Sequence, residues 1–449
     1  MPLVYNGIRC KESVVMKANT LTLTFLMTLA FSFIFCGILV QPVESQSSET
    51  IFIRADGSVE GTTKIHRDEN TYSFTDDISG SIVVERDGVT VDGAGYVLSG
   101  REGSGLVLPQ IGRLGLLLSE RLHVTIRNMS IIGFNIGIHL NASSNIHILE
   151  NNILENDIGI AFGGYWIVIT RYDWFGTNNT SILKNDIAGN NVGVDLGQFS
   201  PWNDISGNNF TKNQLGIKAM VGNHNIIVGN SFVENDGFAI HMSDSRNNTI
   251  YHNNFINNEV VDSIQIFANW YVGYNAWDNG YEGNYWSDYI TRYPNASEVD
   301  SSGIWDTPFY IKEENMDNYP LVYPWDVPPE IKVLSLENST YLGSFPLNFT
   351  VNKPAKWMGY SLDGEANVTV IGNITLYGLA TGLHNITVYA IDSNGISGGS
   401  ELVTFTIEQQ QMEPFPAIPI IAFVITVAVI GTSLRAYFKK RKKRVGYEK

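Results

Sequence analysis

The sequence predicts an all-β protein, a parallel β-helix followed by a small β-sandwich, with one transmembrane helix near the C-terminal end. Three observations predict it: a motif recurring every 22 to 23 residues, a run of short alternating segments over 330–408, and an apolar stretch that ends in a basic cluster. The composition agrees. With 42 glycines, 16% charged and 12% aromatic residues, the 449-residue chain is turn-rich rather than disordered, and long enough for two or three domains.

Taken from the N-terminus, residues 21–40 are apolar, follow Arg9, Lys11 and Lys17, and precede a polar segment, 41–50. This layout predicts a secretory signal over 1–45, with Met16 as an alternative start. An uncleaved anchor is the other reading, because no clean small-x-small cleavage site follows the long run. Either way the next segment is exported. Cys10 and Cys36, the two cysteines, lie at or before this run, so the exported part has neither disulfides nor thiolate ligands.

The β-helix is expected over 50–265. The motif Ile-x-x-Asn-x-Ile/Phe-x-x-Asn occurs at 148–156, 182–190, 205–213, 227–235 and 250–258, and the first Asn of each copy is Asn151, Asn185, Asn208, Asn230 and Asn253. The first interval, 34 residues, holds an insertion. A leucine-rich repeat has a similar period but would place a helix in the second half of each copy. Here that half reads Ile-Gly-Ile-Ala-Phe at 158–162, Val-Gly-Val-Asp-Leu at 192–196 and Leu-Gly-Ile-Lys-Ala at 215–219, which are short alternating strands. Coils stacked about 4.8 Å apart put Ile153, Ile187, Phe210, Phe232 and Phe255 in one interior file. The two Asn series stack as ladders, since an amide offers both donor and acceptor to its neighbours.

Residues 82–98 and 124–134 fit the same coil and resemble the opening rungs of pectate-lyase-like helices. The aromatic segment that follows reads Asn-Ala-Trp-Asp-Asn-Gly-Tyr-Glu-Gly-Asn-Tyr-Trp-Ser-Asp-Tyr at 275–289, then Gly-Ile-Trp-Asp-Thr-Pro-Phe-Tyr-Ile at 303–311 and Asp-Asn-Tyr-Pro-Leu at 317–321. With the repeats, it resembles the NosD-type family of exported right-handed parallel β-helix proteins over roughly 50–325. The resemblance implies the fold and a domain type shared with carbohydrate-binding and sugar-hydrolysing proteins. It also implies a cap over 266–326, in which Trp270, Trp277, Trp286 and Trp305 cover the open end of the solenoid. In such relatives the stretch before Gly303 looks like an acidic calcium loop, of which Asp300, Ser302 and Asp306 remain here. The family name suggests copper handling, but eight His, no exported Cys and scattered Met form no ligand cluster.

Pro328 and Pro329 read as a linker into 327–408, where alternating runs and turns at 362–364 and 393–395 predict a sandwich that resembles an immunoglobulin-like module of surface proteins. Twelve Asn-x-Ser/Thr sequons lie between the two apolar runs. In 330–408 five of seven Asn are in sequons, which selects Asn338, Asn348, Asn367, Asn373 and Asn385 as glycosylation sites on an exported surface. A tether, 409–419, leads into residues 415–434, long enough to cross a bilayer. The tail, 435–449, opens with Arg435 and carries six consecutive basic residues at 439–444, so it is expected inside. Without the basic ends the chain has 18 basic and 43 acidic residues, a net −25 that argues against nucleic acid as a partner.

Aligned rungs produce an outward column of His139, Ala161, Asp195, Lys218 and His241. An acid, a cation and a titratable base on adjacent rungs are what a polysaccharide lyase or hydrolase on this fold would use, making Asp195, Lys218 and His241 the catalytic candidates. A solvated ladder of compensating charges is the plainer expectation. The repeat puts no second carboxylate beside Asp195, so paired glycosidase acids are not evident. The insertion at 163–175 breaks the period, and its Tyr165, Trp166, Arg171, Tyr172 and Trp174 suit a platform for sugar rings. The expected partner is therefore a polysaccharide or an envelope glycoprotein, bound by a membrane-anchored surface protein.

Overall fold

The computed structural model describes residues 50–100, 106–108, 112–163, 176–258, 265–268, 272–300, 302–336, 339–408 and 417–445, the last with side chains over 423–441. The chain divides into two compact units, the first ending at Trp325 and the second beginning at Asp326.

Each repeat of the first unit folds into three short strands, one in each of three largely parallel sheets. Sheet 1 runs from Val59–Glu60, paired to Thr50–Ile53, to Ile266–Ala268, sheet 2 from Ile65–Asp68 to Thr249–Tyr251, and sheet 3 from Ile78–Ser79 to Tyr285–Trp286. The pairing is in register from coil to coil. Sheet 3 aligns Ile131, Ile153, Ile187, Phe210, Phe232 and Phe255, all fully buried, so the expected interior file is observed. Sheet 2 supplies a parallel file of Ile126, Ile148, Ile182, Ile205, Ile227 and Ile250. At the C-terminal end the phenylalanines stack at 4.8 and 5.2 Å, then on Trp286 at 4.4 Å and Phe309 at 4.1 Å. Each buried ring contributes about 1.5 to 3 kcal/mol of hydrophobic stabilisation, and the terminal aromatics spare the last coil an open apolar end.

The turns are built by a two-residue device. A residue in the left-handed region precedes each inward Asn: Glu150, Lys184, Gly207, Gly229 and His252 before the first series, and Glu155, Gly189, Lys212, Glu234 and Asn257 before the second. This bends the chain and aims the amide inward. In the first series each Asn donates from its backbone N–H and its Nδ2 to the Oδ1 of the Asn one coil later, from Asn151 through Asn185, Asn208, Asn230 and Asn253 to Asn284. The second series does the same from Asn156 to Asn258. A third ladder, not expected from the repeat, runs Thr180, Asn203, Asn225, Asn248, Asn275 and Asn315, each backbone N–H donating to the next Oδ1.

A ladder in which every member donates forward ends best on a group that only accepts. The first ends on Asp317, whose Oδ2 accepts from Asn284 N and Nδ2 and from Trp286 Nε1, while Oδ1 accepts from Tyr319 N. The second ends on Gln265, whose Oε1 accepts from Asn258 Nδ2 and whose Nε2 donates to Asp288 Oδ1. Burial pushes the Asp317 carboxyl up to about 7, opposed by the bonds from Trp286, Asn284 and Tyr319. Gly283 beside it has no alternative, because a Cβ there would lie 1.8 Å from Asp317 Oδ1.

The second unit is antiparallel in the main. Its long strands Ala355–Leu362, Gly382–Asp392 and Val403–Glu408 lie in one six-stranded sheet, with two strand pairs beside it: Ile331–Val333 with Phe349–Val351, and Phe345–Leu347 with Ile374–Leu376. Alternation along Gly382–Asp392 buries His384, Ile386, Val388, Ala390 and Asp392, and the core closes with Leu347, Phe345 and Phe405. Lys353 Nζ lies 2.6 Å from Asp392 Oδ2, with both side chains buried. A helix follows over Ala417–Val445. Among the described residues no helix is long and apolar enough to cross a membrane, and the side chains of 415–422, the first part of the apolar run, lie outside them.

Candidate functional site

The outward column of sheet 1 forms as the repeat requires: Leu117, His139, Ala161, Asp195, Lys218, His241 and Phe267 are successive register partners. Its exposure differs from expectation. His139 and Asp195 are only 3% and 5% exposed and Ala161 is buried, so the column is not a solvated ladder of charges. The chain leaving each strand covers it: Gly163 O lies 2.8 Å from His139 Nε2, and Gly197 N–H donates to Asp195 Oδ1. Ala161 packs in a separate apolar cluster with Leu114 and Ile136.

Downstream the column opens. Lys218 Nζ donates to Asp195 Oδ2 at 2.9 Å, a half-buried ion pair. His241 follows on the next rung, edge-on to the exposed ring of Phe267 at 4.7 Å and near Phe238. Burial, then the charge of Lys218, hold the His241 imidazole below its ordinary value, with Asp195 acting the other way, so it is neutral at pH 7. The three catalytic candidates are thus brought together as an acid and a cation bonded to each other beside a neutral imidazole. This grouping offers an ammonium donor for hydroxyl or carboxylate groups, a proton acceptor, and an aromatic wall.

A second feature was not foreseen. The left-handed residue before each rung of the third ladder forms its own surface file: Asn145, Asn179, Trp202, His224 and Asn247, with φ between 48° and 62°, followed by Tyr274. Trp202 is 60% exposed and stacks on His224 at 4.4 Å and 14°. The sequence signal was available in the residue preceding Asn203, Asn225, Asn248 and Asn275, once a third ladder is recognised.

The platform residues Tyr165, Trp166, Arg171, Tyr172 and Trp174 lie outside the described residues, as do Trp270 and Asn338. In the suggested calcium loop, Asp306 Oδ1 accepts from Ser297 N and Thr307 Oγ1, Ser302 Oγ accepts from Ile304 N, and Asp300 occupies a left-handed turn position. Among the described residues no three His, Cys, Asp or Glu gather where they could hold an ion. His139 and His241 stand four rungs apart in one column. Of the sandwich sequons, Asn367 and Asn373 are exposed, Asn348 and Asn385 half-buried, and Asn373 Oδ1 accepts from Phe349 N.

Residues 84–290 match the family model described as periplasmic copper-binding protein (NosD). A 3-dehydroshikimate dehydratase of Acinetobacter baylyi is 31% identical over 130 residues, and the match spans 26% of either chain. Among solved structures, an alginate lyase from a Paenibacillus species is 16% identical with a TM-score of 0.31, covering 44% of this chain and 75% of its own. The tailspike protein 2 of bacteriophage CBA120 is 12% identical with a TM-score of 0.30, covering 76% and 63%. Over these residues the chain is similar to the NosD family, and the first unit is a right-handed parallel β-helix.

Proposed function

We propose that this chain is a cell-envelope protein that binds glycan, either free polysaccharide or the sugars of a neighbouring glycoprotein, on the open downstream part of sheet 1. The observation that carries the reading is the grouping of Phe267, His241 and the Lys218–Asp195 pair on consecutive rungs, an aromatic wall beside charged hydrogen-bonding groups. Sugar rings are held by this combination, apolar ring faces on aromatics and hydroxyls or carboxylates on polar groups. In this reading the second unit is an immunoglobulin-like spacer and residues 415–434 are a single membrane anchor with the basic tail inside, supported by the apolar run and the six basic residues after it.

The test is a glycan-array screen of the detergent-solubilised full chain. Binding to at least one glycan is expected, weakened about tenfold or more in Lys218→Met and Phe267→Ala, which is about 1.4 kcal/mol. A wild-type chain that binds nothing on a panel including uronate polymers would sink the reading. A second reading, a polysaccharide lyase or hydrolase, is favoured by the neutral His241 beside Lys218. Release of unsaturated or reducing ends by the wild type, abolished in His241→Gln and Asp195→Asn, would establish it in place of simple binding.

A further inference from the structure

From the surface file of left-handed residues we infer a second sugar site, occupied by the protein's own glycan: the pyranose ring attached to Asn179 stacks on the face of Trp202 opposite His224. The inference rests on export, as the proposed function does, but not on glycan binding by sheet 1.

The fold needs a left-handed residue before each rung of the third ladder, and the neighbouring positions hold residues that adopt this conformation readily, Asn145, Asn179 and Asn247. Trp202 does so at φ 62°, a strained choice for a bulky aromatic that the ladder itself does not demand. Its ring is not drawn into the core either, being 60% exposed. His224, one coil later, lies parallel to it at 4.4 Å and holds the indole with its plane across the helix axis. The opposite face of the indole is therefore turned toward the preceding coil, about 4.8 Å away, where the same position is Asn179.

Asn179 is exposed and begins the sequon Asn179-Thr180-Ser181. Asn178 begins an overlapping sequon but is half-buried, with its Oδ1 held by Ser144 Oγ at 2.6 Å, so the exposed Asn179 is the more accessible acceptor. On the other side of the pair, the position after His224 is Asn247, which begins Asn247-Asn248-Thr249 and is also exposed. Four consecutive coils thus present sequon, indole, imidazole, sequon at one position. A sugar on Asn179 Nδ2 leaves the surface beside the indole face, where its axial C–H groups meet the π-system one coil spacing away.

The full chain, made in a host that N-glycosylates exported proteins, tests this by site occupancy and by the rate at which a peptide N-glycanase removes each glycan from the native protein. Asn179 is expected to be occupied and to release its sugar at least fivefold more slowly than Asn367 of the second unit. Trp202→Asn, which restores a residue the file already uses, is expected to erase that protection while leaving Asn367 unchanged, and Trp202→Tyr to keep most of it. An unoccupied Asn179, or equal release rates in wild type and Trp202→Asn, overturns the inference. Neither outcome bears on array binding by Lys218 and Phe267, so the two readings fail separately. Protection at Asn179 that is lost when a free oligosaccharide is added would assign the indole to an incoming glycan and likewise overturn it.

Discussion

The two units bury polar groups by opposite means. In the helix the interior polar groups of the first two ladders are neutral amides, repeated coil after coil and each bonded to an identical neighbour, with the carboxyl of Asp317 closing the first. In the second unit they are charged and unique: Lys353 bonds Asp392 and the Val327 carbonyl, and His384 lies between Asp363 and the Ala380 carbonyl. Burial pushes the Asp392 carboxyl up, but the bonds from Lys353 and from Ile396 and Asn394 N–H win and hold it below the ordinary range. Neutral groups need little desolvation energy and tolerate indefinite repetition, whereas a buried ion pair is stable only as a complete set. A parallel solenoid needs repeatable connections, while an antiparallel module can close on a single pair.

The largest effect is expected where one amide serves two coils. In Asn208→Leu the N–H and Nδ2 of Asn185 and the carbonyls of Ile182 and Ser206 lose their partner, four groups at about 1 to 3 kcal/mol each, or a loss of about 4 kcal/mol at the least. Denaturant unfolding followed by hydrogen exchange should place the loss in the first unit alone. A smaller change would mean that the ladder relaxes by rotating neighbouring amides.

Lys353→Met comes next, at about 3 kcal/mol, because it strands a buried carboxylate. Exchange should report it in the second unit only. The double change Lys353→Met with Asp392→Leu should recover most of the loss, and failure to do so would mean the pair is not the closing contact.

pH separates the units further. The Asp317 carboxyl is raised in the folded helix, so the fold binds a proton that the unfolded chain has released above about pH 4. Relative to Asp317→Asn, the wild-type helix should accordingly lose stability as pH rises from about 4 to about 7 and level off beyond, while the lowered His241 contributes the opposite trend equally to both. His384 is raised by the Ala380 carbonyl and then by Asp363. Its contribution is complete below its unfolded value, about 6.5, and is lost as pH rises through the folded one. Thermal unfolding across pH 4 to 9 should therefore show the Asp317 contribution lost from the helix between about pH 4 and 7, and the His384 contribution lost from the second unit only once pH passes about 6.5.

The smallest effect is expected on the outer surface of the helix. Lys212 and Glu234 stand 3.9 Å apart on neighbouring coils with both side chains largely exposed, and Lys212→Ala should change stability by no more than about 0.5 kcal/mol. A larger loss would show that outward charges carry weight the amide ladders are thought to bear.

Whatever depends on a residue and its counterpart one period away was legible in the chain itself. The spacing of Asn151, Asn185, Asn208, Asn230 and Asn253 was enough to align Ile153 with Phe255 and to set Asp195, Lys218 and His241 side by side, because a solenoid turns sequence period directly into spatial adjacency. The third ladder was also written there, but its Thr180 and the scattered apolar residues around it hid the pattern.

Tertiary structure alone decided what meets an aperiodic segment. No period predicts that Gly163 covers His139, that Asp317 ends a ladder begun at Asn151, that Lys353 finds Asp392, or that the indole of Trp202 lies flat on His224. Periodic neighbours are set by local chain length, but which outward groups stay dry, and so which keep a shifted pKa or an open face for a ligand, depends on chain that arrives from elsewhere and excludes water.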